Sequence, residues 1–456
     1  MDKQTALQEV RTDGLTHRLS EYTSSLRYET LPEDVRAIAR HCILDWFGVT
    51  LAGSREDTAR IVLAEALEQG GAAQATLVGD GTRTGVLQAA LVNGTASHAL
   101  DYDDVQFAMF GHPTVTVVPA VLALAERDGL SGRELLTAFV AGVEAECRIG
   151  LLATDGHYAR GYHATGTFGT FGAAASAARM LGLDADTTAI ALGIAGTQAA
   201  GLKAVFGTMC KPLHAGKAAA NGLYGALLAK RGFTSRDDIL ECDQGFVSTL
   251  SPGMDAEAAL RGLGEQFHTR DVLFKYHAAC YGTHASINAA RRLREQHDID
   301  PEQVAKIEIK VPVRNLKVCN IQNPQTGLEA KFSLRLTAAM ALTGVNTADI
   351  AVYTDELCRA PTLIALRDKA RIVGEQSFAR GQTEVIVSMR DGVVYREFGD
   401  VSVPDSDLDH QGARLEEKFR AIATPIIGEK KADELIALVA EIDSLDDMSP
   451  LLARAH

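Results

Sequence analysis

GTFGAAASAARMLGL, residues 169–183, decides how the first half of this chain folds. Alanine, glycine and a few large apolar groups fill it, with a single charge at Arg179. Such a segment reads as a helix buried on most sides, because small side chains let neighbouring helices approach closely. The same composition recurs on both sides of it. Residues 31–53 (LPEDVRAIARHCILDWFGVTLAG) read as a helix: Pro32 suits a first turn, and Val35, Ile38, Ala39, Cys42, Ile43 and Phe47 recur at helical spacing. Further helical patterns cover 57–69, 85–100, 116–128, 132–150, 168–182, 187–202 and 214–231, and most end at a glycine. The first roughly 260 residues therefore predict a compact helical bundle.

The pattern changes near residue 270. VAKIEIKVP (304–312) alternates as a strand does, and TEVIVSMRDGVVYREFG (383–399) predicts a hairpin turning at Asp391–Gly392. Helical patterns at 283–297, 328–344 and 348–356 lie between them, and the tail from 411 is helical again. The expected fold is mainly α: a large all-helical domain (1–269 plus 404–456) and a smaller α+β domain (270–403). No internal repeat or low-complexity segment interrupts it.

Composition bounds the function. The chain has 456 residues, 46% hydrophobic and 23% charged, with a formal charge of -14. No basic block offsets that charge, which argues against a nucleic-acid partner. The seven cysteines are scattered, odd in number and form no C-x-x-C pair, as suits reduced thiols rather than a disulfide framework or zinc site. The first fourteen residues, MDKQTALQEVRTDG, are polar without a signal-peptide core, and no run approaches eighteen apolar residues. A cytoplasmic protein without a membrane span is the expectation.

Four segments concentrate the chemistry. In NGTASHALDYDDVQFAMFGHPTVTVVPAVLALAE (93–126), His98, Asp101, Asp103, Asp104 and His112 fall within fifteen residues. Asp104 and His112 can form a general acid/base pair at the ends of a loop. Equally, the aspartates can cap helices and His112, before Pro113, can be a turn residue. GYHATGTFGTFGAA (161–174) sets glycines around His163 and then opens a helix whose amino terminus attracts anions. It lacks the preceding strand and the Lys-Ser/Thr of a nucleotide loop. GTMCKPLHAGKAAANG (207–222) places Lys211, His214 and Lys217 before or at a helix start, where cations oppose the helix dipole and so call for another reason to be there. FKYHAACYGTHASINAA (274–290) carries Lys275, Tyr276, His277, Cys280, Tyr281 and His284 near the expected domain boundary. Cys280 reads as a small buried thiol more readily than as a nucleophile. His277 and His284, seven apart, are too widely spaced for an i,i+4 metal pair.

Taken in order, four motifs resemble the MmgE/PrpD family over nearly the whole chain. They are N-G-T-A-x-H-A-L-D-Y-D-D with a following H-P, G-Y-H-x-T-G-T-F-G-T-F-G-A-A, G-T-M-x-K-x-L-H-x-G, and K-Y-x-A-A-C-x-x-T-H. The resemblance implies a helical domain plus a smaller α+β domain, usually in a homodimer. It also implies an enzyme for small di- or tricarboxylates that uses no organic cofactor and requires no metal. Members include 2-methylcitrate dehydratase, cis-aconitate decarboxylase and iminodisuccinate epimerase. Carried over by motif position, His163 and Lys211 would transfer protons or stabilise an enediolate, with Asp104 orienting an imidazole and His112 beside it. Lys275 and His284 would hold distal carboxylates, and Tyr162 and Tyr276 would be auxiliary acids.

One departure bears on the reaction. Dehydratase and decarboxylase members typically follow the paired aspartates within two residues by His or Trp; here that place is Gln106, in DDVQFAMFGHP. A glutamine cannot serve as a general acid. This points first to an epimerase of an imino- or amino-dicarboxylate such as iminodisuccinate, with Gln106 contacting substrate. A 2-methylcitrate dehydratase-type hydro-lyase or a related decarboxylase is the alternative.

Overall fold

A computed structural model describes residues 14–456, which divide into two units. The polar N-terminal stretch read above for a signal peptide lies, through residue 13, outside the described residues.

The first unit takes the described residues up to Ala99, then Asp103–Val272 and Asp405–His456. Its long helices are α1 (Leu15–Ser25), α2 (Glu33–Gly53), α3 (Asp57–Gln69), α4 (Val86–His98), α5 (Thr114–Asp128), α6 (Gly132–Ala159), α7 (Ala164–Met180), α8 (Ala185–Gly196) and α9 (Cys210–Lys230). A two-stranded ribbon, β1 (Ala75–Thr76) with β2 (Arg83–Thr84), precedes α4. Local chemistry sets several of the starts. Pro32 precedes α2, whose first turn carries Glu33 and Asp34 against the positive end of the helix dipole. Ser131 and Glu134 close a capping box on α6.

The alanine-glycine helix α7 is the hub: it packs on α5, α6, α8 and α9, and every residue from Ala164 to Ala178 is buried. Helix α9 also lies across α4, where the close approach requires glycine on both sides. A Cβ on Gly94 would come within 2.8 Å of Gly216 Cα, and one on Gly216 within 2.2 Å of Leu91 O. These crossings fix where α4, α7 and α9 end, and so where their terminal side chains meet.

The second unit comprises Leu100–Tyr102 and Leu273–Pro404. Its sheet runs β4-β3-β5-β6, with β3 (Val304–Pro312) parallel to β4 (Ala370–Glu375) and antiparallel to β5 (Gln382–Met389), which pairs with β6 (Val394–Asp400). Between β5 and β6 the chain turns with Gly392 at φ 93°, in the expected place. Helix α10 (Tyr281–His297) packs on β5, β6 and α11 (Leu334–Leu342). In the first unit again, α12 (Leu408–Ile427) packs on α2 and joins Lys418 to buried Asp45 at 2.6 Å, before α13 (Glu429–Ala440). The protein is mainly α with a smaller α+β unit.

Several boundaries differ from expectation. Helix α6 continues to Ala159, broken at Thr154 (φ 56°, ψ 179°), and α8 stops at Gly196 because Leu202 instead bridges to Tyr162. The 328–344 pattern splits into Gly327–Ala330 and α11, and 348–356 holds only short turns at Ile350–Val352 and Asp355–Cys358. Strand β4 was not expected, since ARIVGE neither alternates cleanly nor is deeply buried. Among the described residues no helix is long and apolar enough to cross a membrane.

Candidate active site

Four helix ends in the first unit bring their side chains together. His98 closes α4, His112 precedes Pro113 and α5, His163 sits at the N-cap of α7, and Lys211 and His214 lie in the first turns of α9. Three of these ends are amino termini, whose unpaired N–H groups favour anions. The ring of His98 lies 4.6 Å from that of His112 and 5.9 Å from that of His163. His163 in turn meets His214, Nδ1 to Nδ1, at 2.9 Å.

Asp103 underlies this cluster. Its carboxylate is 2.9–3.0 Å from His98 Nδ1, and its Oδ2 is 2.9 Å from His112 Nδ1. Burial pushes the Asp103 pKa up, but His112 and His98 outweigh it and hold the carboxyl well below its usual range. Three of the neighbouring imidazoles, His98, His163 and His214, are pushed towards the neutral form. Burial, reinforced by the Lys211 charge, drives His98 down to about 3 despite Asp103. The same two causes, in the same order, hold His163 well below its ordinary value and lower His214.

Lys211 is 6% exposed, with its ammonium 5.6 Å from the centre of the Phe206 ring. Phe206 meets His163 edge-on at 4.9 Å. Lys211 is thus packed into the cluster, whereas Lys217, six residues on, is exposed. The need that the sequence posed, a reason for cations at a helix start, is met by this burial. A set of four imidazoles, two of them (His98 and His163) buried and two (His112 and His214) half-buried, with one buried carboxylate and one buried lysine, can accept, hold and return protons beside a bound anion.

Other predicted residues take different places. Asp104 does not orient an imidazole: its carboxylate accepts the Thr114 hydroxyl and, at 3.4 Å, the Thr114 amide. It therefore caps the start of α5, and burial raises its pKa to about 7. Only its backbone oxygen reaches His112, 2.7 Å from Nδ1. Gln106 is also committed locally. Its amide donates to His268 O at 2.9 Å and accepts from Ala108 N at 2.5 Å, so both ends of the side chain expected to contact substrate are bonded to backbone groups and brace the loop. Tyr162 stacks on His157 at 4.6 Å.

Within the second unit, Lys275 is fully buried and donates to Asp101 O and Oδ1, both at 2.7 Å. Asp101 adopts φ 52° to present both oxygens. His284 donates to Ala279 O at 3.1 Å, and burial, with His277 and Lys275, holds it neutral. A neutral imidazole already bonded to a carbonyl is poorly suited to the carboxylate-holding role expected of it. His277 contacts Thr347 and Asn288, and half-buried Tyr276 lies near enough to raise the Tyr281 pKa. Cys280 is a buried free thiol hydrogen-bonded to the Cys319 thiol, as suits a packed side chain.

Sequence reading left out His98, Asp103, His214 and Phe206 as site residues. The first three were visible as titratable groups within the motifs; nothing in the sequence marked Phe206. His98, Asp103 and His112 lie close enough to share a cation, but the Nδ1 atoms of both rings are already turned to the Asp103 carboxylate, so the three form a hydrogen-bonded set.

The architecture is a mainly helical unit beside a smaller α+β unit, and the first unit gathers four imidazoles, one carboxylate and one lysine at its helix ends. Residues 17–259 match the MmgE/PrpD N-terminal domain and residues 277–444 the MmgE/PrpD C-terminal domain. The chain belongs to the MmgE/PrpD family. Among its relatives, human cis-aconitate decarboxylase is 30% identical over 80% of this chain and 78% of its own length. Cis-aconitate decarboxylase of Aspergillus terreus is 27% identical over 99% and 98%, and a cis-aconitate decarboxylase-like protein of Aspergillus oryzae 26% over 96% and 97%.

Proposed function

We propose that this chain is a lyase for small di- or tricarboxylates, and that it decarboxylates an unsaturated tricarboxylate of the cis-aconitate kind. The observation that carries this reading is the cluster of Asp103, His98, His112, His163 and Lys211, assembled where three helix amino termini meet the carboxyl end of α4. Decarboxylation breaks one C–C bond, leaves its electron pair on the carbon skeleton, releases carbon dioxide and consumes one proton at carbon. In this proposal His112 takes up a proton at Nε2 as the polycarboxylate binds and delivers it to carbon, because Asp103 at 2.9 Å stabilises the protonated ring. Lys211 and the helix termini hold the remaining carboxylates, and His163 handles protons on the other side of the cluster.

Lys275, already paired with Asp101, and neutral His284 are less suited than Lys211 to holding a carboxylate. Tyr162 and Tyr276 take no proton-transfer role. The epimerase expectation rested on Gln106 standing where an acid should be. That argument fails when the Gln106 amide belongs to the loop backbone and His112 can supply the acid. The named relatives support the decarboxylase. A homodimer, active in the cytoplasm without metal or organic cofactor, completes the proposal by family resemblance.

Proton NMR in deuterium oxide, with a panel of di- and tricarboxylates, tests it. Decarboxylation gives carbon dioxide and one deuterium in the product. Deuterium entering an otherwise unchanged substrate would replace this reading by epimerisation, and loss of water from a hydroxy acid would replace it by dehydration.

A further inference from the structure

Two imidazoles in the cluster share one carboxylate, and the hydrogen-bonding chemistry of that arrangement leaves no freedom in their tautomers. His112 Nδ1 faces Asp103 Oδ2 at 2.9 Å and the Asp104 carbonyl at 2.7 Å. Both are acceptors, so Nδ1 must carry the hydrogen. His98 Nδ1 faces both oxygens of Asp103, at 3.0 and 2.9 Å, and the same reasoning applies. Either ring, when neutral, therefore leaves its lone pair on Nε2.

His98 Nε2 is buried and has no hydrogen-bond partner, although its ring lies beside both His112 and His163. A buried acceptor without a donor costs stability, and a side chain kept in that state has a use for the lone pair. The groups facing it are Asp103, His112, His163 and Lys211. None of them offers His98 a second acceptor that would draw the hydrogen to Nε2.

We propose that Asp103 is a positioning residue that locks His98 and His112 together with Nδ1–H turned to its carboxylate, so that His98 Nε2 is a second proton-transfer atom of the site beside His112 Nε2. This rests on the proton-transfer reading above for its use, but not for its existence. Asp103 acts through the rings it holds; His98 is the group that would meet substrate. The arrangement extends the way a carboxylate orients a single histidine to a pair.

Selective nitrogen-15 labelling of histidine tests the geometry without reference to any reaction, because one- and two-bond couplings distinguish the tautomers. His98 and His112, assigned by His98→Gln and His112→Gln, should both show the Nδ1–H pattern in the unliganded protein. Asp103→Asn can accept from only one ring through its oxygen, so at least one should revert to Nε2–H, and Asp103→Glu should restore part of the pair. Nε2–H rings in the unmodified protein, or tautomers indifferent to Asp103→Asn, would overturn the proposal.

The second readout uses whichever carboxylate the deuterium experiment identifies as substrate. His98→Asn keeps a donor towards Asp103 but lacks Nε2. It should lower kcat by about 100-fold with little change in KM or thermal transition. An unchanged kcat would overturn the role of His98 while leaving the lyase reading intact.

Discussion

His163 and His214 face each other through their Nδ1 atoms at 2.9 Å, so in the neutral pair one ring donates and the other accepts. Burial and Lys211 keep both rings below their ordinary pKa. A polycarboxylate entering beside them adds negative charge where burial had disfavoured positive charge, and so raises both values. Binding should therefore take up protons at neutral pH. Isothermal titration of a tricarboxylate, repeated in buffers of different ionisation enthalpy, should give a binding enthalpy that depends on the buffer in the direction of uptake. No dependence would show that the imidazoles do not respond to the ligand.

Lys211 links binding to proton transfer. Lys211→Met keeps most of its packing on Phe206 and removes the charge. The loss of transition-state stabilisation should lower kcat/KM by about 1,000-fold. Because Lys211 depresses the His163 pKa, its removal should also move the acid limb of the rate profile to higher pH. A pH–rate profile with an unmoved acid limb would separate Lys211 from His163.

Gln106 shows where sequence reasoning reached its limit. Read along the chain, it occupies an acid's place and selects a reaction; in space, its amide joins His268 O to Ala108 N and selects only a loop shape. Gln106→Ala should cost about 1–2 kcal/mol of stability, measured by denaturant unfolding, and leave the products unchanged. A change in products on this substitution would restore its catalytic reading.

The helices of the first unit were legible because alanine and glycine recur at close crossings such as Gly94–Gly216. The β5–β6 hairpin was legible because its turn needs Gly392. Strand β4 was not, since its half-buried position depends on a parallel partner, β3, more than fifty residues away. In the site, the residue types were visible but their pairing was not. Asp103 and Asp104 are adjacent and chemically identical, and only the path of the loop turns one to two imidazoles and the other to Thr114.

Lys275 and Asp101 form a buried pair in the second unit, with Lys275 fully buried. Lys275→Met should leave Asp101 as an uncompensated buried charge and cost about 3–5 kcal/mol. Adding Asp101→Asn should recover part of that loss, because the stranded charge is removed with its partner. Urea unfolding of both variants checks this; a double variant no more stable than Lys275→Met would mean that the loss is one of packing alone.

Stability should fall on acidification, and the sign follows from which state binds protons. His98, held at about 3, and His41 and His157, each at about 4, are neutral when folded between pH 4 and 6.5 but protonated when unfolded. His163 and His284 are shifted in the same direction. Each depressed imidazole contributes stability that is lost as pH falls below 6.5, at up to about 1.4 kcal/mol per pH unit. Asp104, raised to about 7, and Glu146, raised by its burial, act oppositely: folded they hold protons that the unfolded carboxyls release above about pH 4 to 5, so acidification relieves their cost. Five imidazoles outweigh two carboxyls, and urea unfolding should show a net loss of at least about 2 kcal/mol between pH 7 and pH 5. Asp104→Asn removes one opposing group and should make the loss steeper, whereas stability that is flat or rising over this interval would mean that the imidazoles are not held neutral.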